Sequence, residues 1–479
     1  MSRRLPRGAR LAALLGVMGL APLARADTPP LSLQEVLDSA RERHPDMEAA
    51  RQGLATADAE LLAARGGFDT LVKARGVYVP FSYYPNERLD AVIEQPTTLL
   101  GTRFFAGYRL GQGDFPVYYG GYETLSGGEF RAGLEVPLWR NGTIDRRRAG
   151  LAQARLKQEI AAFTFVGERL ELQREAAYQY WDWVATGRQV RIADAQYGLA
   201  AARHEQLGRR AAAGDIPQIE HTENERVLLE RDADRVAARR ALERAALKLS
   251  LFLRDAGGDP HVVPASRLPE DLPGPGASLE TELDTWLEQA LRRRPELRGL
   301  ALQREVVQVD AELARNQAAP GVDLGLTVLR DVGTGPANLR PTEFQASLTL
   351  DIPLQARAAR GLQRAAEAKR AAVEAKARLA RDKVVTEVRD TLSALRAAHE
   401  RVGLARAAAA VARQLARAEF TRFEHGASSL LVVNQREQAA AEAELKEVKA
   451  LMDYQRAVVD LLAVTVALEP GAGEAPPGN

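Results

Sequence analysis

Two residue pairs have the types for hydrolytic chemistry, His204-Glu205 and His399-Glu400. A helical His-Glu-x-x-His holds zinc between two histidines one turn apart and uses the glutamate as base. Three positions beyond each glutamate stand Gly208 and Gly403, so the second ligand is missing and both pairs read as surface helix residues. Gly111-x-Gly113 lacks the third glycine and the following helix of a phosphate-binding loop, and reads as a strand-end turn. The six histidines are dispersed and no Gly-x-Ser-x-Gly elbow occurs. Without cysteine there are no disulfides, no thiolate metal sites and no lipid-bearing N-terminal cysteine. No catalytic residue, cofactor or metal is expected, and the chain is not expected to be an enzyme.

A second set of charged residues flanks a break in a helix. Arg417, Glu419, Arg422 and Glu424 precede Gly426 in a long run of Ala, Arg and Glu, and Ser428, Leu430 and Leu431 follow it. The stretch Arg210 to Thr222 has the same Arg-x-x-x-Gly start, with Gly214 and then Asp215. Glycine adopts left-handed conformations without steric cost, so Gly214 and Gly426 are expected where a long helix reverses. Asp215 and Ser428 or Ser429 are placed to cap the returning helix. Leu430, Leu431 and Val433 either offer an apolar docking surface at the tip or pack between the hairpin's own helices. Glu419 and Arg422, three apart, share a helix face and can pair. Arg417 and Glu424 are seven apart, so a partner for either must come from a neighbouring helix. These four charges form either a gate at the end of a passage or an ordinary solvated face.

The elements that position these residues follow from length and pattern. A chain of 479 residues, 46% hydrophobic, exceeds one ordinary domain. Residues 1–26 have the form of a cleaved signal peptide. Arg3, Arg4, Arg7 and Arg10 precede an apolar core from Leu11 to Leu20, and Ala24-Arg25-Ala26 gives the cleavage site. Five of the 65 basic residues and none of the 64 acidic ones lie there, so the remainder carries 60 against 64, a net charge of −4. That balance argues against nucleic acid as a partner. No other stretch approaches the ~20 apolar residues of a spanning helix, so any membrane section must be built from strands.

The rest of the chain states one plan twice, at 27–254 and 278–468, with Pro/Gly-rich 255–277 as a mid-height linker and 469–479 as a flexible tail. LSLQEVLDSARERHPDMEAA opens the first copy and SLETELDTWLEQALRRRPELRGL the second, and both reach Asp-Ala-Glu-Leu, at 58–61 and 310–313. Each copy is expected to begin with a half-helix, 31–65 or 278–316. Strands follow at about 68–139 or about 321–354, closing on Val136-Pro137-Leu138 or Ile352-Pro353-Leu354. Pro137 and Pro353 therefore mark the strand-to-helix junctions. A long helix (142–213 or 357–425) then runs to the glycine break, and a half-helix (218–253 or 428–466) returns. Each long helix spans roughly 100 Å, the length of two half-helices stacked end to end.

The strands alternate apolar and polar residues. Phe130, Ala132, Leu134, Val136 and Leu138 alternate with Arg131, Gly133, Glu135 and Pro137, and the segments from Val322 and from Phe344 repeat the pattern. Such segments suit a membrane barrel wall, although a soluble sandwich strand alternates too. The aromatics favour the barrel: 14 of the 27 Phe, Tyr and Trp lie between Phe68 and Trp139, as interfacial girdles require.

From Leu31 to about Leu468 the chain resembles the TolC-like outer-membrane efflux proteins. The resemblance rests on His44-Pro45 and Arg294-Pro295-Glu296-Leu297, the paired Asp-Ala-Glu-Leu segments, the Pro-Leu strand exits and the paired tips, all in doubled order. It implies a mixed fold, a membrane β-barrel above a periplasmic α-barrel of long coiled-coil helices. It also implies a homotrimer in a Gram-negative outer membrane, each chain giving four strands to one 12-stranded barrel in contact with outer-membrane lipid. The tips would meet a periplasmic adaptor (membrane fusion) protein of an inner-membrane transporter, in a tripartite efflux pump or type I export system. Closure agrees, since even the smallest barrels need about eight strands. The first copy departs from the plan: 50 residues separate Val79 from Phe130, against 15 between Val328 and Phe344. Leu89-Asp-Ala-Val-Ile and Thr102-Arg-Phe-Phe-Ala-Gly-Tyr are candidates for an extra hairpin, and the loop for a cover over the outer mouth. The rival reading, a periplasmic coiled-coil adaptor or scaffold, explains the helices but not the alternating strands with their aromatics.

Overall fold

The computed structural model describes residues 29–116, 122–276 and 283–468. The expected signal peptide at 1–26, the tail at 469–479 and the start of the second copy at 278–282 lie outside them. Each copy opens on two helices, not on one half-helix. α1 (Leu33–Arg43) and α2 (Pro45–Arg65) are separated by His44, and α5 (Leu283–Arg293) and α6 (Pro295–Gln317) by Arg294. Proline disfavours helical backbone in the residue before it and is well suited to the first helical position. His44 accordingly sits at φ −71, ψ 136 and Arg294 at φ −58, ψ 121. The breaks set α1 against the long helix α3 (Arg146–Ala212) and α5 against α7 (Arg357–Glu424). α4 (Gln218–Leu249) and α8 (Leu430–Val464) are the returning helices. With 67 and 68 residues, α3 and α7 each span roughly 100 Å.

The main core gathers around the middle of the long helices. Trp183 and Val184 of α3, Val388 of α7 and Leu461 of α8 are buried there with Val36 of α1 and Ala290 of α5. Val263 and Leu272 of the Pro/Gly-rich linker belong to the same core, so that segment is packed structure. The Tyr180 hydroxyl donates to the Leu31 carbonyl at 2.9 Å, and burial lifts its pKa to about 12. Arg267 of the linker holds Glu35 of α1 with two hydrogen bonds of 3.0 and 2.8 Å.

Above the helices stand six strands: β1 (Leu71–Val79), β2 (Asn86–Pro96), β3 (Arg103–Gly113), β4 (Glu129–Pro137), β5 (Gly321–Asp331) and β6 (Glu343–Asp351). They form one sheet in sequence order, and every neighbouring pair is antiparallel. The two copies meet at β4 and β5, where Gly133 faces Thr327. Four strands per chain were expected, and the structure corrects this to six among the described residues. β2 and β3 complete hydrogen-bonded ladders on both sides, so residues 86–113 of the long first-copy segment are wall, as the expected extra hairpin requires. Among the described residues no helix is long and apolar enough to cross a membrane.

Trp183 is fully buried where α1, α3 and the linker converge. Trp183→Ala should cost about 3–5 kcal/mol of stability, as large aromatic truncations do in closed cores. Urea unfolding followed by helical circular dichroism measures it, and a loss below about 1 kcal/mol would show that this belt does not hold the helices together.

Candidate functional site: a two-faced sheet and the hairpin tips

Directly opposed residues in an antiparallel sheet share a face, so the register sorts every strand residue. One face carries Val72, Ile93, Phe104, Phe130, Leu326 and Phe344 among its apolar residues. Val72 is 73% exposed and Phe344 82%, which suits lipid rather than water. The other face is charged. Lys73 reaches Glu94 at 2.7 Å, Glu94 meets Arg103 at 3.2 Å, and Arg103 meets Glu135, a ladder across four strands. Further out, Asp90 binds Arg109 at 3.2 Å and Arg131 at 2.5 Å. Apolar outside and polar inside is the division a membrane barrel imposes on its strands.

The loop between β3 and β4 returns along the polar face. The Thr124 N–H donates to the Gly111 carbonyl, and the Gly111 N–H to Thr124 Oγ1, both at 3.1 Å. The Leu125 N–H donates to Asp331 at 3.0 Å. A Cβ at position 111 would fall 1.8 Å from the Tyr122 carbonyl oxygen, so only glycine seats the strap. The Tyr122 ring lies under the guanidinium groups of Arg88, 5.0 Å away, and Arg109, 5.7 Å away. Gly111 is therefore a seat inside β3, while Gly113 ends the strand as expected.

At the far end the long helices reverse at Gly214 (φ +84) and Gly426 (φ +76). The Asp215 N–H donates to the Arg210 carbonyl at 2.9 Å and the Ala427 N–H to the Arg422 carbonyl at 2.8 Å, closing equivalent turns. The expected side-chain caps are not made: Pro217 and Ser429 occupy the cap positions without a side-chain hydrogen bond. Ser428 instead donates to Glu419, which also accepts from Arg422 at 3.3 Å. Arg422 further donates to the Ala427 carbonyl at 3.2 Å. Glu419, Arg422 and Ser428 thus brace one hairpin. Arg417 and Glu424 are exposed and form no ion pair among the described residues. Leu430 and Val433 are buried within the hairpin, and only Leu431 of the apolar trio stays open, at 56%. Ile219, 70% exposed, occupies the matching place in the first hairpin, five residues beyond its glycine. At the junctions Pro137 is the last residue of β4 and Pro353 lies just beyond β6. Arg140 bridges to Asp351 there at 2.5 Å.

Sequence reasoning missed a buried cluster above the tips. Arg203 of α3 meets Glu437 of α8 and donates to Asn434 at 2.9 Å, while Arg231 of α4 reaches the same carboxylate at 2.8 Å. Phe420 of α7 faces the Arg203 guanidinium at 5.5 Å. Partners lie more than 200 positions apart, so no local spacing announces them. Next to it, the His204 ring stacks on His221 with centroids 4.2 Å apart. Burial raises the Glu437 pKa, but the hydrogen bonds and charge of Arg203 and Arg231 outweigh it and hold the pKa below the ordinary glutamate value. A depressed carboxylate stabilises the fold above its unfolded pKa and loses that contribution as pH falls through its folded value. Glu437→Ala would strand two buried arginines, at about 3–5 kcal/mol. Urea titrations at neutral pH should register that loss, and the difference between wild type and variant should shrink in acid below the glutamate range. A difference independent of pH would deny Glu437 its charged role.

A sheet charged on one face and apolar on the other, carried on a ~100 Å helical body, has the division of surfaces found in a membrane barrel wall. Residues 286–465 match the model of the outer membrane efflux protein family. The fold of the whole described chain is that of the TolC-like channels. It superposes on the outer-membrane channel OprN with a TM-score of 0.66 at 16% identity, covering 90% of this chain and 89% of that one. For the CmeC outer membrane channel of Campylobacter jejuni the TM-score is 0.62 at 13% identity, covering 100% and 96%. For the outer membrane protein VceC of Vibrio cholerae it is 0.63 at 14% identity, covering 90% and 95%. No curated protein matches the chain.

Proposed function

We propose that the chain is the outer-membrane channel of a tripartite efflux pump or type I export system and works as a homotrimer. The observation that carries this reading is the six-stranded sheet, apolar on one face and charged on the other, with β1 and β6 left as unpaired edges. Export with cleavage after Ala26 brings the chain to the periplasm, and without cysteine it carries no lipid anchor on that residue type. The helices extend from the membrane into the periplasm, where the tips meet an adaptor protein bound to an inner-membrane transporter. Ile219 and Leu431 are the apolar contacts at those tips, with Arg210, Asp215 and Arg422 as their polar surround. Arg417 and Glu424, exposed near the second tip, pair with neighbouring chains and draw the entrance closed at rest. Three Glu424 carboxylates around one opening would attract cations.

Replacing both Ile219 and Leu431 with Asp removes the apolar contacts without touching the buried core. Crosslinking of the double variant to its adaptor in cells should fall at least tenfold, while the trimer persists on an unheated gel. Full crosslinking by the variant would remove the tips from the docking surface.

A further inference from the structure

The tunnel below the sheet is four helices wide in each chain. Successive contacts give the order α2, α3, α6, α7 in the upper half and α4, α3, α8, α7 in the lower half. Packed helices lie 8–10 Å apart, so each chain contributes roughly 36 Å of tunnel circumference. Strands lie about 4.8 Å apart and tilt by about 40° in a barrel. Four strands would then cover only roughly 25 Å of the rim, whereas six cover roughly 38 Å. The observed sheet matches the helical ring it stands on; a four-stranded one would have to pinch inward.

The β2–β3 hairpin supplies the difference. It enters as a complete antiparallel pair, so β4 keeps the direction relative to β1 that it would have as β1's direct neighbour. The faces are kept as well. Following the register from Leu71 through Glu94 and Phe105 leads to Gly133, all on the charged face. The hairpin also carries its share of both surfaces, with Leu89, Ile93 and Phe104 outward and Asp90, Glu94, Arg103 and Arg109 inward. The strap at Tyr122–Gly128 lies against that inward face, and three such straps need a broad lumen.

We propose that three copies of the six-stranded sheet close as an 18-stranded barrel as wide as the tunnel beneath it. The barrel wall itself then sets no tighter limit on bulky polar cargo than the helices do, the straps alone narrowing it, and its lining is a hydrated lattice of paired charges. This rests on the trimeric channel reading.

Because the chain has no cysteine, introduced pairs report the wall directly. In trimers taken from outer membranes, Ala74→Cys with Ala91→Cys and Ala106→Cys with Ala132→Cys, each directly opposed, should oxidise to intrachain disulfides. Ala74→Cys with Ala132→Cys should not, because three strand spacings, about 14 Å, separate them. Cryo-electron microscopy of the wild-type trimer should count 18 strands in cross-section. A disulfide between positions 74 and 132, or a section of 12 strands, would overturn the proposal. If the two adjacent pairs crosslink but the protein is monomeric, the trimer reading falls and the 18-strand count with it, while the six-stranded wall stands.

Discussion

The two open edges of the sheet govern the rest of the molecule. β1 and β6 each expose nine residues of backbone on one side, and in hydrocarbon every unpaired N–H and C=O costs several kcal/mol. A single chain cannot curl six strands onto themselves, since the smallest barrels need about eight. In the proposed trimer, further copies close these edges. Once the sheet is part of a closed barrel, one face meets lipid and the other water, and the sorting of Val72, Phe130 and Phe344 from Lys73, Arg131 and Glu135 follows.

Closure also constrains the helices. In the proposed trimer each chain delivers four helices to the ring at every height, with only two of them, α3 and α7, long enough to run the full length. The shorter helices meet at the middle, and the core around Trp183 is where their ends are sealed. His44-Pro45 and Arg294-Pro295 break α1 from α2 and α5 from α6 at that level, where the linker packs into the same core. Lower down, the Arg203–Glu437–Arg231 cluster ties the α3–α4 hairpin to the α7–α8 hairpin by a buried charge contact.

Much of this was legible in the sequence because it repeats. Gly214 and Gly426 were readable as turns, since a left-handed residue between two helical runs has few alternatives to glycine. The strands β4 to β6 announced themselves by clean alternation. β2 and β3 did so only faintly, because Asp90, Glu94, Arg103 and Arg109 make their inward positions look like a solvated loop until their cross-strand partners are known. The breaks before Pro45 and Pro295 carried a clear steric signal, yet half-helices of the right summed length fitted the tunnel and concealed them. At the tips, sequence could not choose between Leu430 and Leu431. Adjacent helical positions point about 100° apart, so the choice depends on which side α7 occupies.

In the proposed assembly this chain is one part of a barrel closed by identical copies. Native mass spectrometry of the protein released from outer-membrane extracts in mild detergent measures this most directly. One dominant species of three chains is expected, each processed after Ala26. A folded, monodisperse single chain that retains its β signal would contradict it.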